Sequence, residues 1–429
     1  MKSTLPILAL ALASAAFGAA PASAQYGSPA PAPQPKMQNP APAPAPTGNA
    51  AAPDKKVNVS KAALKPIREL QAAVEAKDTA SIPAKLAAAQ AVAKSSAEKY
   101  IVAQLQLKAA VDANNELATG AAIEAMIASG GADAAQTERL ALNLGKIQYT
   151  NKQYPQAAAS FERVLAANPN SSEALVLLAE TRNSQGKPSD AVALLQRALK
   201  AKAASGQKAD AEWYKRAVGL AYENQLPSAV DLSRQWVAAY PTPSNWRDAL
   251  RVYRKVANPP DPATLDALRL ARAAGALEGD SDFHNYAVLA SVDSPGEARA
   301  VIDEAIAAKK IDPNKQIFRI LIADLKTKRA LGRELLPQLA KEAKASASAR
   351  LAVRTGDAFY GYGDYAPAIE LYRAALTKSG SDANLVNLHL GMALARSGDK
   401  AGAAAALNAV TGPQAEIAKF WLIYVGAQA

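Results

Sequence analysis

Small residues recur at a nearly fixed distance along this chain of 429 residues, and the recurrence leaves few folds open. Ala157 and Ala191 stand 34 apart. Each lies in a run of apolar residues at helical spacing, and Gly, Asn, Asp or Pro breaks the runs about every 15 to 20 residues. Nothing alternates as a strand would. The segment 138–171 carries Leu144-Gly145, then Ala157, Phe161 and Pro169, and the next places Leu178-Ala179 and Ala191 in the same roles. A third has Trp213, Ala217, Ala229 and Pro241; Ala229 follows Ala191 by 38, so about four residues near Ala203 to Ala209 lengthen the preceding turn. Toward the C-terminus come Gly356, Phe359, Tyr365, Ala368, Tyr372 and Ala375, and then Gly391, Ala403 and Leu407. Glycine or alanine where two helices cross lets their backbones approach, while a large side chain one turn on fills the groove beside them. Such a hairpin cannot bury its own apolar face, so the units must stack.

These positions resemble the tetratricopeptide repeat, in which a small residue late in the first helix is answered by another early in the second, followed by a large side chain and a closing proline. The resemblance is specific over about half of residues 60–411 and only hairpin-like over the rest. It implies an all-α, right-handed superhelical solenoid of antiparallel helix hairpins. Its divisions are degenerate hairpins at 60–129, clear repeats at 130–243, degenerate helical repeats at 244–346, clear repeats at 347–411, and a capping helix at 412–429. Within the degenerate stretch, 244–275, 281–310 and 313–345 each read as a helix pair.

The N-terminus has a separate logic. Lys2, the apolar Leu5 to Phe17 and the small Ala22-Ser23-Ala24 form an export signal over 1–24, with cleavage ahead of Gln25. Residues 25–59 follow as a disordered Pro/Ala spacer whose composition favours extended polyproline II over a packed core. No later stretch is long and apolar enough to span a bilayer, and the expected location is a bacterial periplasm.

Composition narrows the chemistry. With Cys 0 and only His284 and His389, thiolate sites, cysteine nucleophiles and multi-histidine metal centres are excluded. Each histidine sits without a carboxylate that spacing would place beside it, and no phosphate loop, nucleophile elbow or HExxH occurs. The expectation is therefore no catalytic, cofactor or metal site. An enzyme of cell-wall or polysaccharide metabolism would need two carboxylates within about 10 Å in a cleft. The resemblance instead implies a scaffold whose concave groove binds a peptide or helix of an envelope protein. Its groove positions are Asn143, Lys146, Tyr149, Tyr214, Lys215, Arg350, Arg354 and Tyr360, a basic and aromatic set suited to carboxylates. The formal charge of +11 leaves an alternative, binding of anionic polymer or lipid through Arg247, Arg251, Arg254 and Lys255, or through Lys326, Lys328, Arg329 and Arg333. Nucleic acid fits poorly, for no reading module is present.

Overall fold

The computed structural model describes residues 59–427, apart from the side chains of 327–332. The export signal lies outside them, as does all of the spacer but its last residue. Among the described residues regular structure is entirely helical, with twenty α-helices and one short 3-10 turn. The chain forms two compact units, divided after Asn151.

The first unit contains α1 (Lys61–Glu75), α2 (Ile82–Val92), α3 (Ser96–Asp112), α4 (Glu116–Ala128) and α5 (Ala134–Thr150). The two alanine-rich helix pairs read between Ser60 and Ser129 are α1 with α2 and α3 with α4. Their starts follow from capping chemistry. Ser60, Ser95, Asn115 and Asp133 each accept a backbone N–H of the first turn, and Ser95 and Asp133 are completed into capping boxes by Glu98 and Gln136. Ile67, Leu70, Val74 and Val102 form one buried cluster, and Leu107, Ile123, Met126, Leu140 and Leu144 another.

Glu98 does more than close its own helix. Although buried, its carboxylate accepts the backbone N–H of Lys94 at 2.9 Å, of Ser95 at 3.0 Å and of Ser60 at 2.7 Å, which joins the start of α1 to the start of α3. Burial opposes its charge, but the N–H groups of Ser95, Ser60 and Lys94 outweigh that and hold Glu98 at about 2.

The second unit begins with α6 (Tyr154–Ala167), α7 (Ser172–Ser184), α8 (Pro188–Ala204), α9 (Ala211–Glu223) and α10 (Ser228–Ala239). It continues with α11 (Pro243–Val256), α12 (Asp261–Ala273), α13 (Gly279–Ala290), α14 (Pro295–Ala307) and α15 (Gln316–Ala345). It ends with α16 (Ala349–Gly361), α17 (Tyr365–Leu376), α18 (Ala383–Ser397), α19 (Lys400–Asn408), the 3-10 turn Gly412–Gln414 and α20 (Ala415–Ala427). The repeat positions are buried: Ala157, Phe161, Ala191, Ala217, Ala229, Ala368, Tyr372, Ala403 and Leu407. Two glycines mark the closest helix crossings. A Cβ on Gly391 would stand 2.5 Å from Leu407 Cγ, and one on Gly356 would stand 2.7 Å from Tyr372 Cε1. One expectation fails. Residues 313–345, read as a helix pair, hold a single 30-residue helix, α15. Apart from Gly332, its middle is built largely of Leu, Lys, Arg, Ala and Glu, good helix formers that offer no turn, and Pro337 is accommodated within it.

The helix ends share one device. Two residues past α4, α7, α8, α12 and α16 stands a glycine with positive φ, and at the same place past α1, α3, α5, α9, α11 and α14 stand Lys77, Asn114, Lys152, Gln225, Asn258 and Lys309, also with positive φ. After α7 the bonds Gly186 N–H to Asn183 O and Lys187 N–H to Arg182 O, both 2.9 Å, close the Schellman pattern.

The last helix travels furthest. Besides α19, α20 packs on α10 and α12 and touches α18, so the C-terminal end of the second unit meets its early helices.

Replacing Glu98 with alanine leaves three part-buried N–H groups without their acceptor and lowers stability by about 3 kcal/mol. Its pKa is depressed in the fold, so its contribution is present above about 4.5 and disappears as pH falls toward 2. Chemical denaturation across that window will show wild type losing stability more steeply than Glu98→Gln; equal slopes would remove Glu98 from this role.

Candidate functional site

Asn143, Lys146 and Tyr149 all lie on α5 of the first unit, Lys146 exposed and the other two half-buried. In the second unit Tyr214 and Lys215 are neighbours on α9; Lys215 is exposed, and Tyr214 meets the ring of Tyr240 edge-on at 6.1 Å. Burial raises the Tyr214 hydroxyl above its usual range. Arg350 and Arg354 are exposed one turn apart on α16, and Arg354 lies 3.7 Å from an equally exposed Asp293. Tyr360 is different. Expected on an open groove, it is only 7% exposed, with the Arg269 guanidinium 5.3 Å from its ring centre and the Tyr365 ring at 5.5 Å. It is an interior residue of this unit because α12 brings Arg269 across it.

The basic faces also look different in three dimensions. Arg247 pairs with Glu278, Arg251 with Asp248 at 3.4 Å and Arg254 with Asp282 at 3.2 Å, which leaves only Lys255 of that run without a described ion pair. Glu278 and Asp282 lie at the start of the next hairpin, where the run itself does not announce them. On α15, Lys326 is exposed and the Arg333 guanidinium lies 5.2 Å from the ring centre of Tyr362. Lys328 and Arg329 fall among the side chains not described. A shallow cleft of about 500 Å³ between α6, α7 and α8 includes Arg182, Asp190 and Arg197, and Arg182 is already paired there with Glu162.

What the sequence did not disclose is a buried polar cluster assembled from six helices. Arg269 on α12 donates from Nε and Nη2 to Glu297 on α14 at 2.9 and 2.7 Å, and from Nη1 to Asp266 on its own helix at 2.9 Å. Tyr286 on α13 donates to Glu297 at 2.8 Å, and Tyr372 on α17 to Asp357 on α16 at 2.7 Å. His389 on α18 completes the cluster. Its Nδ1 lies 2.7 Å from Asp357 and its Nε2 3.5 Å from Asp266, the shorter contact being ionic and outside hydrogen-bond alignment. This corrects the reading of His389 as an imidazole without a carboxylate: both partners come from helices more than thirty residues away in sequence. His284 sits edge-on to Phe318 at 6.2 Å.

Electrostatics assigns the cluster its chemistry. Burial works against a charged imidazole, but Asp357 and then Asp266 overcome it and lift His389 to about 10. Burial likewise works against ionised Asp357, yet His389 and Arg269 hold it below the usual carboxylate range. Arg269 is driven well above its ordinary value, Glu297 outweighing desolvation. Three carboxylates do come together, where a glycoside-cleaving site requires two, but they are engaged by Arg269, His389 and two tyrosine hydroxyls. Asp266 is 2% exposed and Glu297 fully buried. A catalytic acid needs a raised pKa and a path to substrate. Asp357 has the opposite shift, and the cluster is built to hold helices together.

His389 titrates near 6.5 when unfolded and about 10 in the fold, so its stabilisation is complete below about 6.5 and is lost as pH rises through 10. The effect is on the order of a few kcal/mol. Denaturation between pH 7 and 9.5 will show wild type losing stability faster than His389→Gln. Parallel profiles would mean that the imidazole is neutral in the fold. Asp357, Asp266, Arg269 and the Tyr372 ring, 5.8 Å away, are the groups that face it.

The sequence matches the tetratricopeptide-repeat family model at residues 142–207 and 330–416. Among curated proteins nothing matches. Similar solved structures include a tetratricopeptide repeat protein from Parabacteroides merdae, 13% identical, with a TM-score of 0.31, aligned over 69% of this chain and 99% of that one. A Naa15/Naa10 structure bound to HypK-THB is 14% identical over 81% of this chain and 63% of that one, with a TM-score of 0.35. The C-terminal part of a repeat-containing protein from Cytophaga hutchinsonii is 10% identical over 75% and 98%, with a TM-score of 0.27. The family match falls on the stretches whose Gly, Ala and aromatic positions pack as helix hairpins, and over residues 142–207 and 330–416 the chain carries tetratricopeptide repeats.

Proposed function

We propose that this chain is a non-enzymatic interaction scaffold of the bacterial cell envelope, exported to the periplasm, and that it captures an acidic peptide or helix of another envelope protein. Arg350 and Arg354 carry the reading. They stand exposed one turn apart on the first helix of a family-matched hairpin, and the single described ion pair there, Arg354 with Asp293, is exposed at both ends. Exposed pairs of this kind contribute little to stability, so a ligand carboxylate can replace Asp293 at small cost. Two guanidinium groups at this spacing suit a segment with carboxylates about one turn apart. Lys215 and Tyr214 on α9 are further candidate contacts within the same unit, and Asn143, Lys146 and Tyr149 on α5 are a separate candidate surface of the first unit. Tyr360 is not.

Export is supported by Lys2, the apolar Leu5 to Phe17 and Ala22-Ser23-Ala24. No helix among the described residues is long and apolar enough to cross a membrane. Recognition of an anionic polymer or lipid through Arg247 to Lys255 is the weaker reading, since three of those four cations already face carboxylates.

Reversing both charges, Arg350→Glu with Arg354→Glu, will reduce capture of the partner at least tenfold in crosslinking on intact cells, while the thermal midpoint moves by no more than about 2 °C, as for surface substitutions. Undiminished capture by the double variant would move the binding surface off α16.

A further inference from the structure

The helix α20, AEIAKFWLIYVGA, has only Glu416 and Lys419 as charges, and its partners lie far back in the chain. Glu416 pairs with Arg234 on α10, 182 residues earlier. The Phe420 ring stands 5.8 Å from Tyr253 and 6.4 Å from Trp246 on α11, and 5.8 Å from the Arg234 guanidinium. Tyr424 meets Trp246 at 6.3 Å and donates its hydroxyl to Ala273 O, at the end of α12, at 3.2 Å. A carboxylate, an aromatic ring four residues on and a second ring four residues beyond that are thus read along one face of a helix by three others.

We propose that the face formed by α10, α11 and α12 is a helix-receptor site, that α20 is its resident ligand, and that a partner helix with the same order of groups, a carboxylate followed at four-residue steps by two aromatic side chains, exchanges with α20. The inference rests on the scaffold reading for the class of ligand only; it assigns a different surface from α16.

Three observations carry it. Arg234, the cation of the receptor, keeps a partner without α20, because it is also held by Asp231 of its own helix at 2.9 Å, and Asp231 is fixed in turn by Gln235 at 2.6 Å. The occupant is joined to α19 by a short link that contains Gly412, with φ +66°, and Pro413, so α20 is a separate helix outside the α18–α19 hairpin. Its fit is imperfect: Trp421 is fully buried, and its indole N–H meets no protein acceptor. An occupied receptor masks its affinity in proportion to the fraction of time the resident helix is seated. Loosening α20 must therefore uncover binding in trans.

The test uses the full chain and a labelled synthetic peptide of residues 412–427 with a solubilising Lys tail, followed by fluorescence anisotropy. Glu416→Arg, a partly exposed substitution that leaves the apolar packing alone, places like charges together and loosens the resident helix. The peptide will bind the Glu416→Arg chain at least tenfold more tightly than it binds wild type. Phe420→Ala, which weakens the apolar side of the same seat, will raise affinity in the same direction. A peptide that itself carries Glu416→Arg will bind the Glu416→Arg chain at least tenfold more weakly than the natural peptide. Equal affinity for wild type and both loosened chains, absence of binding to all three, or equal binding by the two peptides would each overturn the proposal. None of these outcomes depends on Arg350 or Arg354, so this site and the α16 surface succeed or fail separately.

Discussion

The charge of Arg269, enclosed among α12, α14 and α16, is the constraint to which the second unit is fitted. A stacked hairpin ordinarily touches only its neighbours, so small errors in packing accumulate along the stack. Arg269 suppresses that accumulation because a buried guanidinium without partners is far more costly than any single apolar mismatch. It requires Glu297 from α14 and Asp266 from α12, and Asp266 in turn faces His389 on α18, which also holds Asp357 on α16. With a neutral imidazole the five groups would carry a net charge of minus two in the interior, and protonation of His389 reduces it to minus one. The raised pKa of the histidine is thus a consequence of carboxylates that Arg269 alone cannot neutralise. Removing one partner of such a set typically costs about 3–5 kcal/mol, whereas exchanging the whole set for apolar residues of the same volume can be neutral. What the network specifies is position: α12, α14, α16 and α18 have one arrangement in which every charge is answered.

That arrangement governs where α20 can lie. Because α18 and α12 are fixed to one another through His389 and Asp266, the helix that follows α19 is delivered to α10 and α12 rather than outward as a continuation of the stack. The second unit is consequently tied across its length twice, once by buried charge and once by the aromatic seat around Phe420. The ties differ in kind. Breaking the first leaves charges unpaired in the interior. Breaking the second exposes apolar surface, while Arg234 keeps Asp231 as its partner.

Much of the fold was legible in the sequence because its rules are local. Gly356 with Tyr372 and Gly391 with Leu407 are small-large pairs 16 residues apart, and each turns out to be a crossing where a Cβ would collide with the partner side chain. The turns were only partly legible. Half of the residues with positive φ that end helices are Lys, Asn or Gln rather than Gly; Asn tolerates that region, whereas Lys77, Lys152, Gln225 and Lys309 take up a conformation that their own preference would not choose. The single helix α15 was misread for the converse reason: a period carried over from neighbouring repeats was given weight over a run of good helix formers. Of the proposed contact residues, Arg350, Arg354 and Lys215 are exposed as their spacing implies, whereas Tyr360 is not, because its environment is set by Arg269 some ninety residues earlier. The buried cluster gave one local hint, Asp266 and Arg269 three apart in the run that α12 buries. Spacing within one helix cannot identify charges that arrive from others, which is why His389 read as an imidazole without a carboxylate and why Glu278 and Asp282 did not show as partners of Arg247 and Arg254.

The distribution of charge then separates structure from recognition. The excess of 49 basic over 38 acidic residues is no guide by itself, since Arg234, Arg247, Arg254, Arg269 and Arg272 all have carboxylate partners that are remote in sequence and hold one helix against another. A cation used in this way cannot also greet a ligand without loosening the stack. Arg350 and Arg354 are different in that their loss removes little packing and at most one exposed pair, and Arg234 is different again because Asp231 keeps it in place whether or not Glu416 is present. Binding without collapse requires charges that the fold can release, and in the second unit α16 and the α10 face meet that requirement.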